Sequence, residues 1–466
     1  MGVFEGMPVK VLFINAVDPR EEIENRYPPL GIGYLISALR NRFGDELFRF
    51  KVVSAGVKGE LKRFNPDIVG ITCVTQNYNI AKGHAKAAKS FGIPVIIGGI
   101  HISALPSSLT DDMDLGVIGE GEEAITDILK VFIKNGSLKK EYLPGIKSIA
   151  YKDDSGRLII TEERAPATPL DNIAMPARDI FRIKRRSYLF SSRGCPYRCA
   201  FCASSHFWGK VRFFSAEYVT REIEELHGRY KARTISFYDD LMMADLPRLR
   251  KLTALLRNEG VTKRVRFSVN ARAGLLTEET VGLLKDMNVV SVGMGLEHGN
   301  ERVLRYLKGE NASVSDNTEA IRLLKKYKIA ANASFIIGSP DETRDEAIQT
   351  YNFIKKSGLD FFDTYLLTPL PGTPVWEYAK SIGAVSDNME WSKLGMNFAS
   401  NRKNAVIVSQ NLSRKEIYEL FGKFQRLRLL TALKKMPSHP FRFDVLGFIL
   451  DNLIAKFKPL FLKDAR

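Results

Sequence analysis

Three of the four cysteines lie within eight residues, in the segment Cys195-Pro-Tyr-Arg-Cys199-Ala-Phe-Cys202. Intervals of three and then two residues let one short loop fold its thiolates around a single metal centre, and soft thiolates select zinc or iron–sulfur clusters. A structural zinc ion needs four ligands, and this region contains no fourth cysteine. We therefore expect a [4Fe–4S] cluster in which one iron keeps an open position for an external ligand.

Two further residues bear on this interpretation. His206 follows Cys202 by four positions and could complete a zinc site, which keeps structural zinc as an alternative. Cys73 stands alone in the apolar run VGITCVT and is expected to pack as a small buried hydrophobic residue. So few cysteines do not form a disulfide framework, and the cytoplasm would keep them reduced.

Ahead of the cysteine loop, apolar runs of strand length alternate with segments of helical periodicity. Residues 8–140 contain five such runs, and the segment GIGYLISALRNRFG after the first run is predicted to be an amphipathic helix that ends at Gly44. Strands that alternate with helices favour a doubly wound parallel sheet, which binds ligands at the carboxyl ends of its strands. We expect a flavodoxin-like or Rossmann-like α/β domain over this range.

The chain changes character after this domain. Residues 141–185 are predicted to form a linker that contains a hairpin at 151–161 and then a proline-rich stretch. Residues 186–396 return to alternating strands and helices, and their six predicted strands suggest a partial (β/α)6 barrel. The cysteine loop follows the first of these strands, at the end where barrel enzymes carry their chemistry. Residues 397–466 are predicted to form a basic helical region.

The cysteine loop and the segments behind it resemble the radical S-adenosylmethionine (SAM) superfamily. The C-x3-C-x2-C spacing matches the superfamily motif, and Phe201 supplies the aromatic residue that is typical before the last cysteine. Glu297 lies in GMGLEHGNERVLRYLKG, which is similar to the family pattern G-x-E-S-G-x-x-R-V-L, although His298 replaces the usual serine. The resemblance implies reductive cleavage of SAM to methionine and a 5′-deoxyadenosyl radical, with electrons from an external donor such as flavodoxin or ferredoxin.

Under this resemblance, polar residues at the predicted strand ends of the barrel would bind SAM. The ammonium group of SAM needs a carboxylate, its carboxylate needs a cation, and its adenosine needs hydroxyl and backbone contacts. Tyr238-Asp239-Asp240 resembles the ammonium-binding position, and Arg272 is the expected partner of the SAM carboxylate. For Asp240 and Glu297, the alternative is that each acid only caps a helix after its strand. The residues assigned to SAM are Phe201, Asp239, Asp240, Ser268, Asn270, Arg272, Glu297, Ile336 and Gly338.

The first domain resembles the cobalamin-binding domain that precedes many radical SAM barrels. The matching segments include Pro66-Asp-Ile-Val-Gly-Ile-Thr72, Gly98-Gly-Ile-His101 and Gly119-Glu-Gly-Glu122. The D-x-H-x-x-G motif that gives a histidine to cobalt in other cobalamin proteins is absent, as is usual in this branch. A domain of the same fold without the cofactor is the alternative. The residues expected near cobalamin are Thr72, Thr75, Gln76, Gly98, Gly99, His101, Gly119, Glu120 and Gly121.

Together the two resemblances imply a cobalamin-dependent radical SAM methyltransferase that acts on an unreactive carbon of a small-molecule or lipid-like substrate. A non-methylating oxidoreductase or cyclase with the same cofactors is the first alternative. A zinc-stabilised nucleic-acid-binding protein, suggested by the net charge of +16, is a distant one. Because the chain lacks a basic stripe with interleaved aromatic residues, we expect no nucleic-acid partner.

The excess of positive charge is concentrated near the C-terminus. Residues 401–466 contain 14 Lys and Arg and 5 Asp and Glu, so they contribute +9 of the +16. Within 437–466, apolar residues recur at helical spacing beside lysines, a pattern that indicates either a helix packed on the barrel or one that contacts an anionic membrane surface. The N-terminus has no apolar core of signal-peptide length, so we expect a cytoplasmic protein, with peripheral membrane contact through 437–466 as an option.

Overall fold

The computed structural model describes residues 7–18, 28–395, 404–443 and Leu446. Packing divides the chain into two units. The first comprises the described parts of Met1–Pro196, Phe201–Ala232 and Thr368–Val406. The second comprises Tyr197–Ala200, Arg233–Leu367 and the described part of Ile407–Arg466.

The first unit contains a sheet of seven strands within the described residues. The strands are β1 (Val9–Ala16), β2 (Phe48–Val53), β3 (Ile68–Cys73), β4 (Val95–Gly98), β5 (Leu115–Val117), β6 (Ile149–Lys152) and β7 (Leu158–Ile160). Five of them are parallel, in the order β2-β1-β3-β4-β5, and β6 and β7 continue the sheet in antiparallel orientation. The parallel strands are largely buried, as their continuous apolar runs predict, except β2 at the edge, where only Phe48 is buried.

Five helices follow the five parallel strands in turn; the first four connect parallel strands, and the fifth leads to the antiparallel β6. They are α1 (Leu30–Phe43), α2 (Val57–Phe64), α3 (Tyr78–Lys89), α4 (Ile100–Ala104) and α5 (Glu122–Asn135). The predicted doubly wound α/β fold is thereby confirmed. The hairpin predicted within the linker is also present, but it extends this sheet as β6 and β7 instead of standing apart from it.

The first unit also holds the elements around the cysteine loop and a later stretch of the chain. These elements are β8 (Arg186–Leu189), β9 (Ser192–Arg193), α6 (Ala203–Phe207), β10 (Arg212–Phe213), α7 (Ala216–Gly228) and α13 (Pro374–Ser381). The stretch that contains α13 also includes Trp391. The buried ring of Trp391 stacks on that of Trp376, with 5.9 Å between the ring centroids. This packing of the stretch after the barrel strands has no counterpart in the sequence-based predictions.

The second unit is built on five parallel strands that neighbour each other in chain order. They match five of the six predicted barrel strands, and β8 matches the other. The strands are β11 (Thr234–Phe237), β12 (Arg266–Ala271), β13 (Val289–Glu297), β14 (Ala330–Ile337) and β15 (Phe361–Leu366). The helices are α8 (Leu246–Asn258), α9 (Glu278–Asp286), α10 (Glu301–Lys308), α11 (Val314–Lys326) and α12 (Arg344–Ser357).

The long helix α14 (Arg414–Lys435) packs on β15. Its Arg428 forms an ion pair with Asp363 and stacks over the Phe361 ring at 5.0 Å. The described chain then turns through His439, which is buried with Nε2 3.4 Å from Asn332 Oδ1. No helix of the described residues is long and apolar enough to cross a membrane. Most of the region predicted at 437–466, from residue 447 onward, lies outside the described residues.

The most deeply buried ion pair of the first unit provides a test of its packing. Arg178 Nη2 lies 2.6 Å from Glu222 Oε1, and both side chains are fully buried. Arg178→Met leaves the Glu222 carboxylate without its partner, so we expect the free energy of unfolding to fall by about 3–5 kcal/mol. Urea unfolding followed by far-UV circular dichroism measures this loss.

The neighbouring residue supplies a matched control. Asp179 pairs with Arg40 at 2.9 Å, but its side chain is 37% exposed. Because exposed pairs contribute little, Asp179→Asn should change the free energy of unfolding by about 1 kcal/mol or less. Equal losses in the two variants would contradict the assignment of a buried, uncompensated charge.

Candidate active site

The cysteine loop leaves and rejoins one short β-ladder in the first unit. β9 and β10 pair in antiparallel orientation, with Arg193 opposite Arg212 and Ser192 opposite Phe213. Gly194 begins the loop with φ of 87°, and a Cβ atom there would lie 2.9 Å from the Lys210 carbonyl oxygen. Because only glycine combines this conformation with so close an approach, the residue before Cys195 is fixed by backbone geometry.

All four cysteines are thiols, but their surroundings differ. Cys195, Cys199 and Cys202 are partly exposed, which suits side chains that must reach a metal centre. Cys73 is buried as predicted, and burial raises its pKa to about 12, which keeps it a protonated thiol. Three cysteines in one loop supply the donor type that iron–sulfur clusters use, although their side chains are not gathered around one point. No group of three or more His, Cys, Asp or Glu side chains among the described residues is close enough to hold a metal ion.

Arg272 lies against residues 197–200 in the second unit. Its guanidinium group stacks over the Tyr197 ring at 3.8 Å from the centroid, and Nη1 is 3.9 Å from Cys199 Sγ. Nη2 donates to the carbonyl oxygens of Lys308 and Asn311 at 3.3 and 3.0 Å. The structure therefore places this predicted SAM-carboxylate partner beside the middle cysteine, with its position fixed by backbone acceptors.

Glu297 ends β13 in an unusual conformation. Its φ is 61°, its side chain is buried, and a Cβ atom on Gly295 would lie 2.2 Å from Glu297 Oε1. The carboxylate thus folds back over its own strand, where only a glycine leaves room. Burial raises the pKa of Glu297, and the positive charges of Lys308 and Arg272 oppose that rise. Lys308 is itself buried and donates to the Gly295 carbonyl oxygen.

The loop after β14 is held by a buried carboxylate. Glu342 Oε2 accepts hydrogen bonds from the backbone N–H groups of Gly338 and Ser339 at 2.6 and 2.9 Å. Its Oε1 lies 3.0 Å from His298 Nε2, and His298 Nδ1 accepts from the Asn300 N–H group at 3.1 Å. Because Nδ1 is an acceptor, Nε2 carries the proton that bonds Glu342. The residue that departs from the family pattern therefore links the end of β13 to the Gly338 loop.

The other residues assigned to SAM occupy the expected strand ends of the second unit, except Phe201, which belongs to the first unit. Asp239, the second residue after β11, is buried, whereas Asp240 is exposed. On β12, Ser268 Oγ lies 2.7 Å from Ser236 Oγ, and Asn270 is exposed at the strand end. Ile336 is buried in β14, two residues before Gly338.

The residues assigned to cobalamin follow three neighbouring strands of the first sheet. Thr72, Thr75 and Gln76 lie at or after the end of β3, Gly98 and Gly99 end β4, and Gly119–Gly121 follow β5. Val74 exposes 37% of its surface at this edge, and a Cβ atom on Gly119 would meet nothing within 4 Å. The two features differ from Gly99, where a Cβ atom would lie 2.5 Å from the Cys73 carbonyl oxygen, so the open space at this edge is beside Val74 and Gly119. An exposed apolar side chain beside open glycine backbone is compatible with a large flat ligand such as cobalamin.

Two residues of this set are buried, Thr75 and, with no exposed surface, His101. Its ring is fully buried, with the Tyr78 ring centroid at 4.1 Å and that of Trp391 at 4.5 Å. Nδ1 lies 3.4 Å from Thr75 Oγ1, and Nε2 has no hydrogen-bond partner among the described residues. Burial, with a smaller contribution from the charge of Lys82, lowers the pKa of His101 to about 3.

Two family models match this chain. The model of the radical SAM superfamily matches residues 189–354, and the model of the B12 binding domain matches residues 18–129. An uncharacterized methyltransferase of Pyrococcus horikoshii is 30% identical over 382 residues, which cover 78% of this chain and 81% of that protein. The chain belongs to the B12-binding radical SAM family.

A further relative and a solved structure extend the comparison. The anaerobic magnesium-protoporphyrin IX monomethyl ester cyclase of Cereibacter sphaeroides is 24% identical over 441 residues, or 89% of this chain and 69% of that protein. The radical SAM methyltransferase TsrM of Kitasatospora setae, solved with cobalamin and a [4Fe–4S] cluster, superimposes with a TM-score of 0.67 at 18% identity. That match covers 81% of this chain and 76% of TsrM and shows a common fold.

Membership in the B12-binding radical SAM family makes this protein an enzyme and implies its cofactors. The radical SAM domain implies a [4Fe–4S] cluster and SAM, and the B12 binding domain implies cobalamin. The described residues offer donor chemistry that is compatible with each of them: three partly exposed cysteines in one loop, charged groups near the barrel strand ends, and open space beside the Gly119 backbone after β5.

Several residues near these features were not predicted from the sequence. Arg193 and Arg212 flank the cysteine loop and bind Glu120, which the sequence analysis assigned to cobalamin. Lys308 lies beside Glu297 in the same motif segment, where the pattern RVLRYLKG was its only signal. Trp391 covers His101, and no local pattern indicates that contact, because the two residues are far apart in the chain.

The burial of His101 predicts a specific dependence of stability on pH. The folded pKa of about 3 lies below the ordinary value of 6.5, so the unfolded chain binds a proton in the interval where the folded chain does not. Stability contributed by neutral His101 is therefore present above pH 6.5 and lost as pH falls toward 3. Between pH 7 and pH 5 the loss should be about 2 kcal/mol.

His101→Phe should abolish this share of the pH dependence, because phenylalanine keeps the ring packing and binds no proton. Urea unfolding of both proteins at pH 7 and pH 5 measures the difference. His84→Phe serves as the control, since burial lowers the pKa of His84 less strongly. A wild-type protein and a His101→Phe variant that lose equal stability over this interval would refute the prediction.

Proposed function

We propose that this enzyme transfers a methyl group from SAM to an unreactive carbon of a small-molecule or lipid-like substrate. The observation that carries the proposal is the presence, in one chain, of three partly exposed cysteines in a loop that matches the radical SAM model and a domain that matches the B12 binding model. Bound to this chain, a [4Fe–4S] cluster would supply one-electron chemistry for SAM cleavage, and cobalamin would supply a methyl carrier. A flavodoxin or ferredoxin would supply the electrons.

The residues of the second unit would bind and orient SAM. Asp239 would accept the SAM ammonium group, as a buried carboxylate two residues after β11 suits this role. Arg272 would face the SAM carboxylate, since its stacked and hydrogen-bonded guanidinium group is held beside Cys199. Glu297 and the Gly338 loop would contact the adenosine. These contacts would keep water away from the reacting carbon of SAM.

A second candidate is a radical SAM oxidoreductase or cyclase that uses the same cofactors without methyl transfer. The match to a cyclase over 89% of this chain favours keeping it. The two candidates form different products. Methylation of a C–H bond consumes two molecules of SAM and two electrons and gives S-adenosylhomocysteine, methionine, 5′-deoxyadenosine and the methylated product. The second candidate gives methionine and 5′-deoxyadenosine without S-adenosylhomocysteine.

Anaerobic reconstitution with iron, sulfide and cobalamin tests both the cofactors and the reaction. The wild-type protein should bind iron and sulfide, show corrin and cluster absorption, and form S-adenosylhomocysteine with 5′-deoxyadenosine when a reductant and candidate substrates are added. Cys199→Ala should lose the cluster absorption and the 5′-deoxyadenosine, because three thiolates are needed to hold the cluster.

Cys73→Ala is the matched control and should keep the cluster, because Cys73 is a buried thiol outside the loop. Formation of 5′-deoxyadenosine without S-adenosylhomocysteine would transfer the assignment to the second candidate. Binding of zinc in place of iron and sulfide would overturn both.

We further propose that the C-terminal region contacts an anionic membrane surface. Leu430 and Leu433 on α14 are 63% and 48% exposed, and Phe443 is 76% exposed. The exposed basic residues Arg426, Lys434 and Arg442 accompany them. Apolar side chains flanked by cations are typical of helices that lie in a membrane interface, and such contact would bring the enzyme to a lipid-like substrate.

Vesicle sedimentation tests this surface. The wild-type enzyme should bind phosphatidylglycerol vesicles more tightly than phosphatidylcholine vesicles, and less tightly at high salt. The double variant Leu430→Ser and Leu433→Ser should weaken binding by about tenfold or more, because each leucine loses on the order of 1 kcal/mol of apolar burial. Phe91→Ser, which removes an exposed apolar residue of the first unit, should bind like the wild type. Unchanged binding of the double variant, or no binding by the wild type, would refute the proposal.

A further inference from the structure

The base of the cysteine loop contains two arginines in an unfavourable arrangement. Arg193 and Arg212 are directly opposite each other in the antiparallel ladder of β9 and β10. Like charges at directly opposed positions destabilise a strand pair, and this ladder consists of only two residue pairs. Some other group must therefore stabilise the point where the loop that carries the three cysteines begins and ends.

That group is the carboxylate of Glu120, in the loop after β5. Its Oε1 lies 3.0 Å from Arg193 Nη1 and 2.6 Å from Arg212 Nη2, so one oxygen accepts from both arginines. Its Oε2 accepts from Arg212 Nη1 at 3.1 Å and from the Ala167 N–H group at 3.0 Å. The side chains of Arg193, Arg212 and Glu120 are 8%, 12% and 15% exposed, so water screens these contacts only weakly.

The remaining contacts of Arg193 hold its guanidinium group in place. Its centre lies 5.3 Å from the Tyr34 ring centroid and 5.4 Å from that of Trp208, and Nη2 also pairs with Glu122. Trp208 lies in the segment between the last cysteine, Cys202, and β10. The two arginines and the two glutamates form a charge-balanced group, in which only Glu120 bridges both strands of the ladder.

The surroundings of Glu120 favour its ionised form. Burial alone would raise the pKa of this carboxyl group, but the hydrogen bond from Arg212 and the charge of Arg193 outweigh it and hold the pKa below its ordinary value. The two oxygens already accept four hydrogen bonds, which matches the lone pairs of a carboxylate. The side chain is therefore fully engaged by protein groups, although its loop is assigned to cobalamin.

We propose that Glu120 is a positioning residue that closes the base of the cysteine loop, and that the loop after β5 thereby fixes where the cluster ligands begin and end. This inference rests on the [4Fe–4S] cluster of the proposed function but not on methyl transfer. It gives Glu120 a role toward the cluster and leaves cobalamin to the neighbouring glycine backbone.

Glu120→Gln tests this role with a nearly isosteric change. Glutamine cannot neutralise two guanidinium groups, so the opposed arginines should push the ladder apart and expose the cluster to attack. We expect the reconstituted variant to release its iron to a chelator about tenfold faster than the wild type, since a charge-assisted hydrogen bond changes an equilibrium by about that factor or more. Cobalamin content, measured from the corrin absorption of the same sample, should not change.

Two further variants control for indirect effects. Glu123→Gln removes a neighbouring carboxylate that pairs with Arg164 instead of the ladder, and it should release iron at the wild-type rate. The double variant Glu120→Gln and Arg212→Gln removes one of the opposed charges together with the bridging one, so it should recover part of the lost iron retention. Far-UV circular dichroism should show the same secondary structure in all variants.

The outcomes separate positioning from the other possible roles of Glu120. Loss of cobalamin with normal iron retention would overturn the inference and show that Glu120 contacts cobalamin. A double variant that loses iron as fast as Glu120→Gln would also overturn it, because repulsion between the arginines would then not be the cause. Both readouts are taken without turnover, so failure of the proposed methyl transfer would leave this result unaffected.

Discussion

Two guanidinium groups that face each other across a short ladder repel one another unless an anion lies between them. In this enzyme that anion is Glu120, and the ladder is the one from which the cysteine loop departs and to which it returns. A three-cysteine motif specifies ligands but not the separation of its two ends. That separation depends on charge balance with a loop of the first sheet, and Gly194 then permits the sharp exit toward Cys195.

In the second unit, charged side chains are fixed by backbone groups instead of by an opposite charge. Arg272 is held by the carbonyl oxygens of Lys308 and Asn311, and Lys308 by that of Gly295. In the loop after β14, the relation is reversed, since backbone N–H groups hold the carboxylate of Glu342. Side chains fixed in this way need little reorganisation when a charged ligand arrives, which favours tight and oriented binding.

The sequence predicted the strands of both sheets and the cysteine loop, because buried parallel strands leave continuous apolar runs and the motif is local. It did not predict that the hairpin of β6 and β7 extends the first sheet, since strand pairing depends on which sheet edge is uncovered. Glu120 was assigned to cobalamin because glycines flank it, and its arginine partners lie 73 and 92 residues further along the chain. Contacts of that kind follow from tertiary packing and leave no local pattern.

The contrast between Cys73 and the loop cysteines has a practical consequence for handling this enzyme. A buried thiol with a pKa of about 12 is almost entirely protonated at neutral pH and reacts slowly with alkylating reagents and oxidants. The three loop cysteines are accessible and, once a cluster is lost, exposed to both. Native and denatured thiol titrations of one sample therefore report separately on the loop and on the core, and Cys73 serves as an internal standard for intact protein.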